Sequence, residues 1–190
     1  MAEVLLFHHA QGQTPGFLSF ADELRGDGHT VHAPDLYEGA TFSDVPSGVA
    51  HAKSIGFDTI LERGRASADG LSNNLVYAGF SLGVMPAQLL TQTRPGARGA
   101  LFFHGCLPPE EFEVPWPDGV PTQIHAMADD PWMEEDWIAA RQLADSTTGV
   151  ELFVYPGTGH LFAEVGGTDF DEAAATTLRQ RTLAFLNDLT

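Results

Sequence analysis

Residues 79 to 83, Gly-Phe-Ser-Leu-Gly, set a serine between two glycines, after an apolar run and before a stretch with helical spacing. A hydroxyl is a poor nucleophile alone and needs a neighbouring base, itself oriented by a third group. In a strand-to-helix elbow the glycines permit a tight turn, and the hydroxyl of Ser81 is left at the top of a sheet, beside the free N–H groups of the helix that follows. The base and the acid should then follow in the order serine, acid, histidine. Both slots are filled: "AMADDPWM" and "YPGTGHLF" each come after an apolar strand-like run. His160 is the base, because a neutral imidazole accepts a proton near neutrality. The acid is Asp129 or Asp130, and Asp130 is favoured because the residue before Pro131 is held extended. Oxyanion donors are expected from the backbone N–H of Leu82 and from the turn "HHAQG", through Gln11 or Ala10.

Those side chains need a scaffold. Short β-branched and aromatic runs predict strands at Glu3–His9, Thr30–Ala33, Leu75–Gly79, Ala100–His104, Thr122–Ala126 and Glu151–Tyr155. Helical spacing predicts helices over Phe17–Arg25, His51–Ala68, Leu82–Gln92, Glu134–Ala144 and Phe170–Asn187. Strands alternating with helices give an α/β fold, a mostly parallel six-stranded sheet with helices on both faces. Ligands bind such sheets beyond the carboxyl ends of the strands. Residues at those ends, His9, Tyr37, Trp132 and Phe162, are candidates to line a substrate pocket. Residues 37–50 and 106–120, rich in Gly, Pro, Ser and Asp, are expected to be irregular loops near its mouth.

Composition bounds the rest. The 190 residues, 43% of them hydrophobic, suffice for one core and suggest a single domain over 1–190. A net charge of −17 would repel nucleic acid and anionic membrane surfaces. No apolar run approaches the length of a membrane span, no signal peptide opens the chain, and the lone Cys106 has no internal disulfide partner, so a cytoplasmic protein is expected. Cys106 lacks an elbow and reads as a small packing residue. His8, His9, His29, His32, His51, His104 and His125 are scattered without metal-ligand spacing, so no metal is expected. Trp116, Trp132 and Trp137 read as partly buried packing groups, with Trp132 also able to wall an acyl pocket.

The segments "FHHAQG", "PDLYEG", "YAGFSLG", "HAMADDPWM" and "GTGHLFAE", in that order over almost the whole chain, resemble the dienelactone hydrolase family of α/β-hydrolases. The resemblance implies a trimmed α/β-hydrolase sheet lacking the N-terminal hairpin, and a cofactor-free hydrolase acting on an ester or lactone through an acyl-enzyme. Two positions depart from the family pattern: Ser81 stands where its best-known members have a cysteine, and Glu164 where they have an arginine that holds the substrate's carboxylate. A carboxylate at 164 would repel an anionic substrate, so a neutral ester or lactone is expected rather than dienelactone. Arg63 and Arg65 read as a solvated helix face. The alternatives are a thioesterase or peptidase with the same triad, or a non-catalytic binding or regulatory domain that keeps the fold.

Overall fold

The computed structural model describes residues 1–189. Six strands, β1 (Glu3–Phe7), β2 (Thr30–His32), β3 (Val76–Phe80), β4 (Gly99–Phe103), β5 (Thr122–Met127) and β6 (Val150–Tyr155), form one sheet. Its order is β2-β1-β3-β4-β5-β6 and every pairing is parallel, beyond the mostly parallel sheet expected. β1 pairs with β2 on one side and β3 on the other, with Val4 opposite Val31 and Val76. The chain therefore reverses its direction of travel across the sheet at β1, and a crevice opens beyond the ends of β1 and β3.

The strands are covered on both faces, which explains their nearly unbroken apolar runs. Because side chains alternate, Val4, Leu6, Val76, Ala78, Leu101 and Phe103 point to one face, where α1 (Pro15–Gly26) and α6 (Glu172–Asp188) bury Phe20, Leu24, Leu178 and Phe185. Leu5, Phe7, Leu75, Tyr77, Phe102 and Ile124 point to the other. That face is covered by α2 (Val45–Ile55), α3 (Phe57–Ala66), α4 (Val84–Thr93) and α5 (Asp136–Ser146), through Ala52, Ile60, Ala87, Leu90 and Ala140 among others.

Local signals set the helix ends. Thr14 caps α1 by accepting the Phe17 N–H at 3.2 Å, with Pro15 at the first helical position. Asp44 caps α2 in the same way through the Ser47 N–H at 2.8 Å. The single helix expected over His51–Ala68 is two, broken at Gly56, whose φ of +91° no helix residue adopts. Nor is 37–50 irregular throughout, since α2 starts at Val45. Within 106–120 the chain makes only one short 3-10 turn, at Pro109–Phe112. Among the described residues no helix is long and apolar enough to cross a membrane.

Candidate active site

β3 delivers Ser81 into a turn of left-handed backbone, φ +48°, followed by one 3-10 turn and then α4. A serine gains nothing locally from that conformation, which costs on the order of 1–3 kcal/mol and persists only because the surroundings impose it. The flanking glycines supply the room. A Cβ on Gly79 would lie 2.1 Å from the Gly83 carbonyl oxygen, and one on Gly83 would lie 2.4 Å from the Phe7 carbonyl oxygen. The elbow can thus seat itself against the end of β1 only with both glycines present.

Ser81 Oγ lies 2.7 Å from His160 Nε2, and His160 Nδ1 lies 2.7 Å from Asp130 Oδ2. Three loops, after β3, β5 and β6, meet there. An ionised carboxylate only accepts, so the pair fixes the tautomer: Nδ1–H donates to Asp130, and the Nε2 lone pair accepts from the Ser81 hydroxyl. Asp130 and His160 are both 3% exposed. The remaining oxygen of Asp130 accepts the Trp132 N–H at 2.9 Å, while Asp129 is exposed and gives its N–H to the Gly157 carbonyl. The His160 backbone N–H donates to Asp169 Oδ2 at 3.1 Å, which ties the loop to the segment before α6.

The loop after β1 is wired by two histidines. His8 donates from Nδ1 to the His9 carbonyl at 2.8 Å and accepts the Leu36 N–H at Nε2. His9 accepts the Gln11 N–H at Nδ1 (3.2 Å) and faces Glu164 Oε2 from Nε2 at 3.0 Å. Glu164 also accepts from the Thr14 hydroxyl. Burial pushes the Glu164 carboxyl up, but the hydrogen bonds and charge of His9, with the Thr14 bond, outweigh it and leave the carboxyl below its ordinary value. The Gln11 N–H is therefore committed to His9, away from its expected place as an oxyanion donor.

A cleft of about 370 Å³ opens over Ser81 and His160. Ala10, Leu82 and His104 line it around the serine; Val45, Val49 and Phe57 form one wall, with Met85 and Leu107 beside them. Trp132, Glu135 and Asp136 complete it. A larger groove of about 480 Å³, between residues 109–116 and α5, lies away from any of this chemistry. Of the four pocket candidates only Trp132 lines the cleft, and it is 45% exposed rather than a partly buried packing group. His9 is turned inward onto Glu164. Tyr37 is buried with its hydroxyl on the Gly48 carbonyl, and Phe162 is buried against His104 and Tyr155. Glu164 also departs from expectation: its carboxylate is buried among Thr14 and His9, and the carboxylates on the Ser81 cleft are Glu135 and Asp136.

The apolar wall of this cleft comes from α2 and α3. Val45 and Val49 lie within residues 37–50, expected at its mouth, but their helical form was not expected, and sequence reasoning passed over two further features. Asp136, at the start of α5, accepts the Cys106 N–H at 3.0 Å, and burial pushes its carboxyl above the usual range. His104 is buried with φ +62°, and neither ring nitrogen has a hydrogen-bond partner. Burial, reinforced by the neighbouring histidines, keeps it neutral. Arg63 is directed away, onto the Leu36 carbonyl and Glu38, and Arg65 lines a separate cleft with Asp69 and Thr93. Cys106 is buried and its thiol is pushed up by desolvation and by Asp136, which suits packing rather than attack. Among the described residues no three His, Cys, Asp or Glu side chains are grouped to hold a metal.

A parallel sheet with both faces covered, and a serine elbow beyond its third strand, define an α/β-hydrolase. The chain belongs to the dienelactone hydrolase family, whose sequence profile matches residues 1–190. Solved structures of the same fold include a dienelactone hydrolase-like promiscuous phosphotriesterase from metagenomic libraries, 18% identical with a TM-score of 0.80, covering 100% of this chain and 87% of its own. A dienelactone hydrolase from Anabaena variabilis is 15% identical with a TM-score of 0.70, over 99% of this chain and 86% of its own. Esterase 2 of Thermogutta terrifontis, phosphoramylated by tabun, is 18% identical with a TM-score of 0.64, over 99% and 83%. No curated protein matches the sequence.

Proposed function

We propose that this protein is a serine hydrolase that cleaves a carboxylic ester or lactone through an acyl-enzyme. The observation that carries the reading is the continuous relay Ser81–His160–Asp130, with two contacts of 2.7 Å at the foot of an open cleft. In this reading Ser81 Oγ attacks the carbonyl carbon while its proton passes to His160 Nε2. Asp130 holds the imidazole in the productive tautomer and stabilises the imidazolium. The oxyanion takes hydrogen bonds from the backbone N–H groups of Leu82 and Ala10. Collapse of the tetrahedral intermediate breaks the bond to the leaving oxygen, which receives the proton from His160. Water then repeats the sequence on the acyl-serine, releasing the acid and restoring the serine. No cofactor enters any step.

Membership of a hydrolase family supports this reading, as does an elbow that holds Ser81 in a conformation of no structural benefit. The test is a fluorophosphonate probe followed by peptide mass spectrometry, run beside hydrolysis of short p-nitrophenyl esters. An adduct on Ser81, with turnover lost in Ser81→Ala, is the expected result. A folded protein that gives neither adduct nor turnover would leave a binding module with the hydrolase fold.

A further inference from the structure

The charged groups around the Ser81 cleft are all of one sign. Glu135 and Asp136 line it, and no Lys or Arg does. A smaller cleft shares Val45 and Trp132 with it and adds Asp44, Glu164 and Asp169, again without a basic side chain. Of the cations on the neighbouring helices, Arg63 holds the Leu36 carbonyl and Glu38, Arg65 lines a separate cleft, Arg141 lies over the Trp137 ring, and Lys53 of α2 is not among the residues that line this one. Asp136 spends one oxygen on the Cys106 N–H. Between the two clefts stands Trp132, 45% exposed, its ring centroid 5.8 Å from that of His160.

An exposed indole bordered by carboxylates, with no Lys or Arg lining the cleft, is a receptor for an ammonium group: the ring attracts it by its quadrupole and the carboxylates by charge. The same field opposes an anionic substrate as it approaches. The remaining wall, from Val45, Val49 and Phe57, suits the apolar part of the molecule.

We infer that the cleft selects esters that carry a cationic ammonium group, seated between Trp132 and the carboxylates of Glu135 and Asp136, over neutral isosteres and over anionic esters. The inference rests on the hydrolase reading above, and the experiment separates the two. Acetylthiocholine and 3,3-dimethylbutyl thioacetate differ in one charge at nearly constant shape, and S-acetyl-3-mercaptopropionate supplies the anion. At low ionic strength kcat/KM is expected to fall in the order cationic, neutral, anionic, with about tenfold between the first two. The preference should shrink at high salt. It should collapse in Glu135→Gln/Asp136→Asn and weaken in Trp132→Leu.

Equal rates for the cationic and neutral thioesters, with Ser81 still labelled by fluorophosphonate, would overturn the substrate class and leave the hydrolase reading standing. Absence of both labelling and turnover would remove the hydrolase reading. The cation site would then be judged by choline quenching of tryptophan fluorescence: saturable quenching that is lost in Trp132→Leu supports the site, and no quenching rejects it.

Discussion

Among the described residues are two histidine–carboxylate pairs with both side chains buried, His160 with Asp130 and His9 with Glu164, each within reach of a hydroxyl residue. In the first, the carboxylate takes Nδ1 and leaves Nε2 to the Ser81 hydroxyl. In the second, the carboxylate takes Nε2, and Nδ1 is occupied by the Gln11 N–H. The Thr14 hydroxyl is spent twice over, donating to Glu164 and capping α1 through the Phe17 N–H. The same side-chain types therefore give a relay in one place and a clamp in the other. What separates them is which ring nitrogen the carboxylate claims, and whether the hydroxyl opens on a cleft.

The largest expected effects fall on the first pair. Ser81→Ala or His160→Ala should lower kcat/KM for a p-nitrophenyl ester by about 10⁵- to 10⁶-fold, since the triad works as a unit. Asp130→Asn should cost about 10⁴-fold through the wrong tautomer, with a stability loss of its own because Asp130 also serves two donors. Glu164→Gln should spare turnover. It takes the charged acceptor from two buried donors and should cost about 2 kcal/mol of stability, with kcat within tenfold of the parent. Urea unfolding and steady-state kinetics on the same two variants read the contrast, and a fall in kcat larger for Glu164→Gln than for Asp130→Asn would reverse the assignment of relay and clamp.

The relay was legible in the sequence because its parts obey rules of order and local geometry. The glycines around Ser81 announce the elbow, and the strand runs before Asp130 and His160 place both at the same rim of the sheet. The clamp was not legible, for a reason visible at β1. The strand ends at Phe7 rather than at His9, and a residue two positions beyond a strand takes its direction from the turn, not from the pleat. His9 thus turns to Glu164 although its place in the chain suggested the pocket. Tyr37 and Phe162 fail similarly, each drawn inward by aromatic neighbours distant in sequence, His51 and His104. The acidic lining at Glu135 and Asp136 depends on where α5 begins relative to the loop at Cys106, a tertiary relation with no local signal.

Acid should act on the scaffold around both pairs. Burial holds His8 at about 4 and His125 at about 3, against 6.5 when free, with the His9 carbonyl bond partly offsetting it for His8. The unfolded chain therefore takes up protons first as pH falls. Stability from these two groups is complete above about pH 6.5 and is lost on descending from there towards 4 for His8 and 3 for His125. Each should contribute a loss of about 2 kcal/mol by pH 5. The depressed Glu164 carboxyl adds a smaller loss at lower pH, as the clamp is protonated. Urea midpoints measured from pH 7.5 downwards should fall steadily below pH 6.5, and a flat profile to pH 5 would mean that these histidines are not held neutral in the folded protein.

The smallest effect sharpens the comparison most directly. Among the described residues four non-glycine positions have positive φ, and two of them, Ser81 and His104, line the Ser81 cleft, whereas none of His9, Thr14 and Glu164 is among them. Backbone strain at the serine of the relay, with none at the corresponding residues of the clamp, is what is expected when one constellation is held for chemistry and the other for stability. Ser81→Gly removes the Cβ that makes φ +48° costly and should raise stability by about 1 kcal/mol while abolishing ester turnover. Ser81→Ala keeps the Cβ, abolishes turnover equally, and should leave stability close to the parent. Thr14→Ala should lower stability by about 1 kcal/mol through the lost cap and leave Ser81 reactive towards a fluorophosphonate. If Ser81→Gly proved no more stable than Ser81→Ala, the elbow would carry no stored strain, and the contrast between the two pairs would reduce to hydrogen-bond wiring alone.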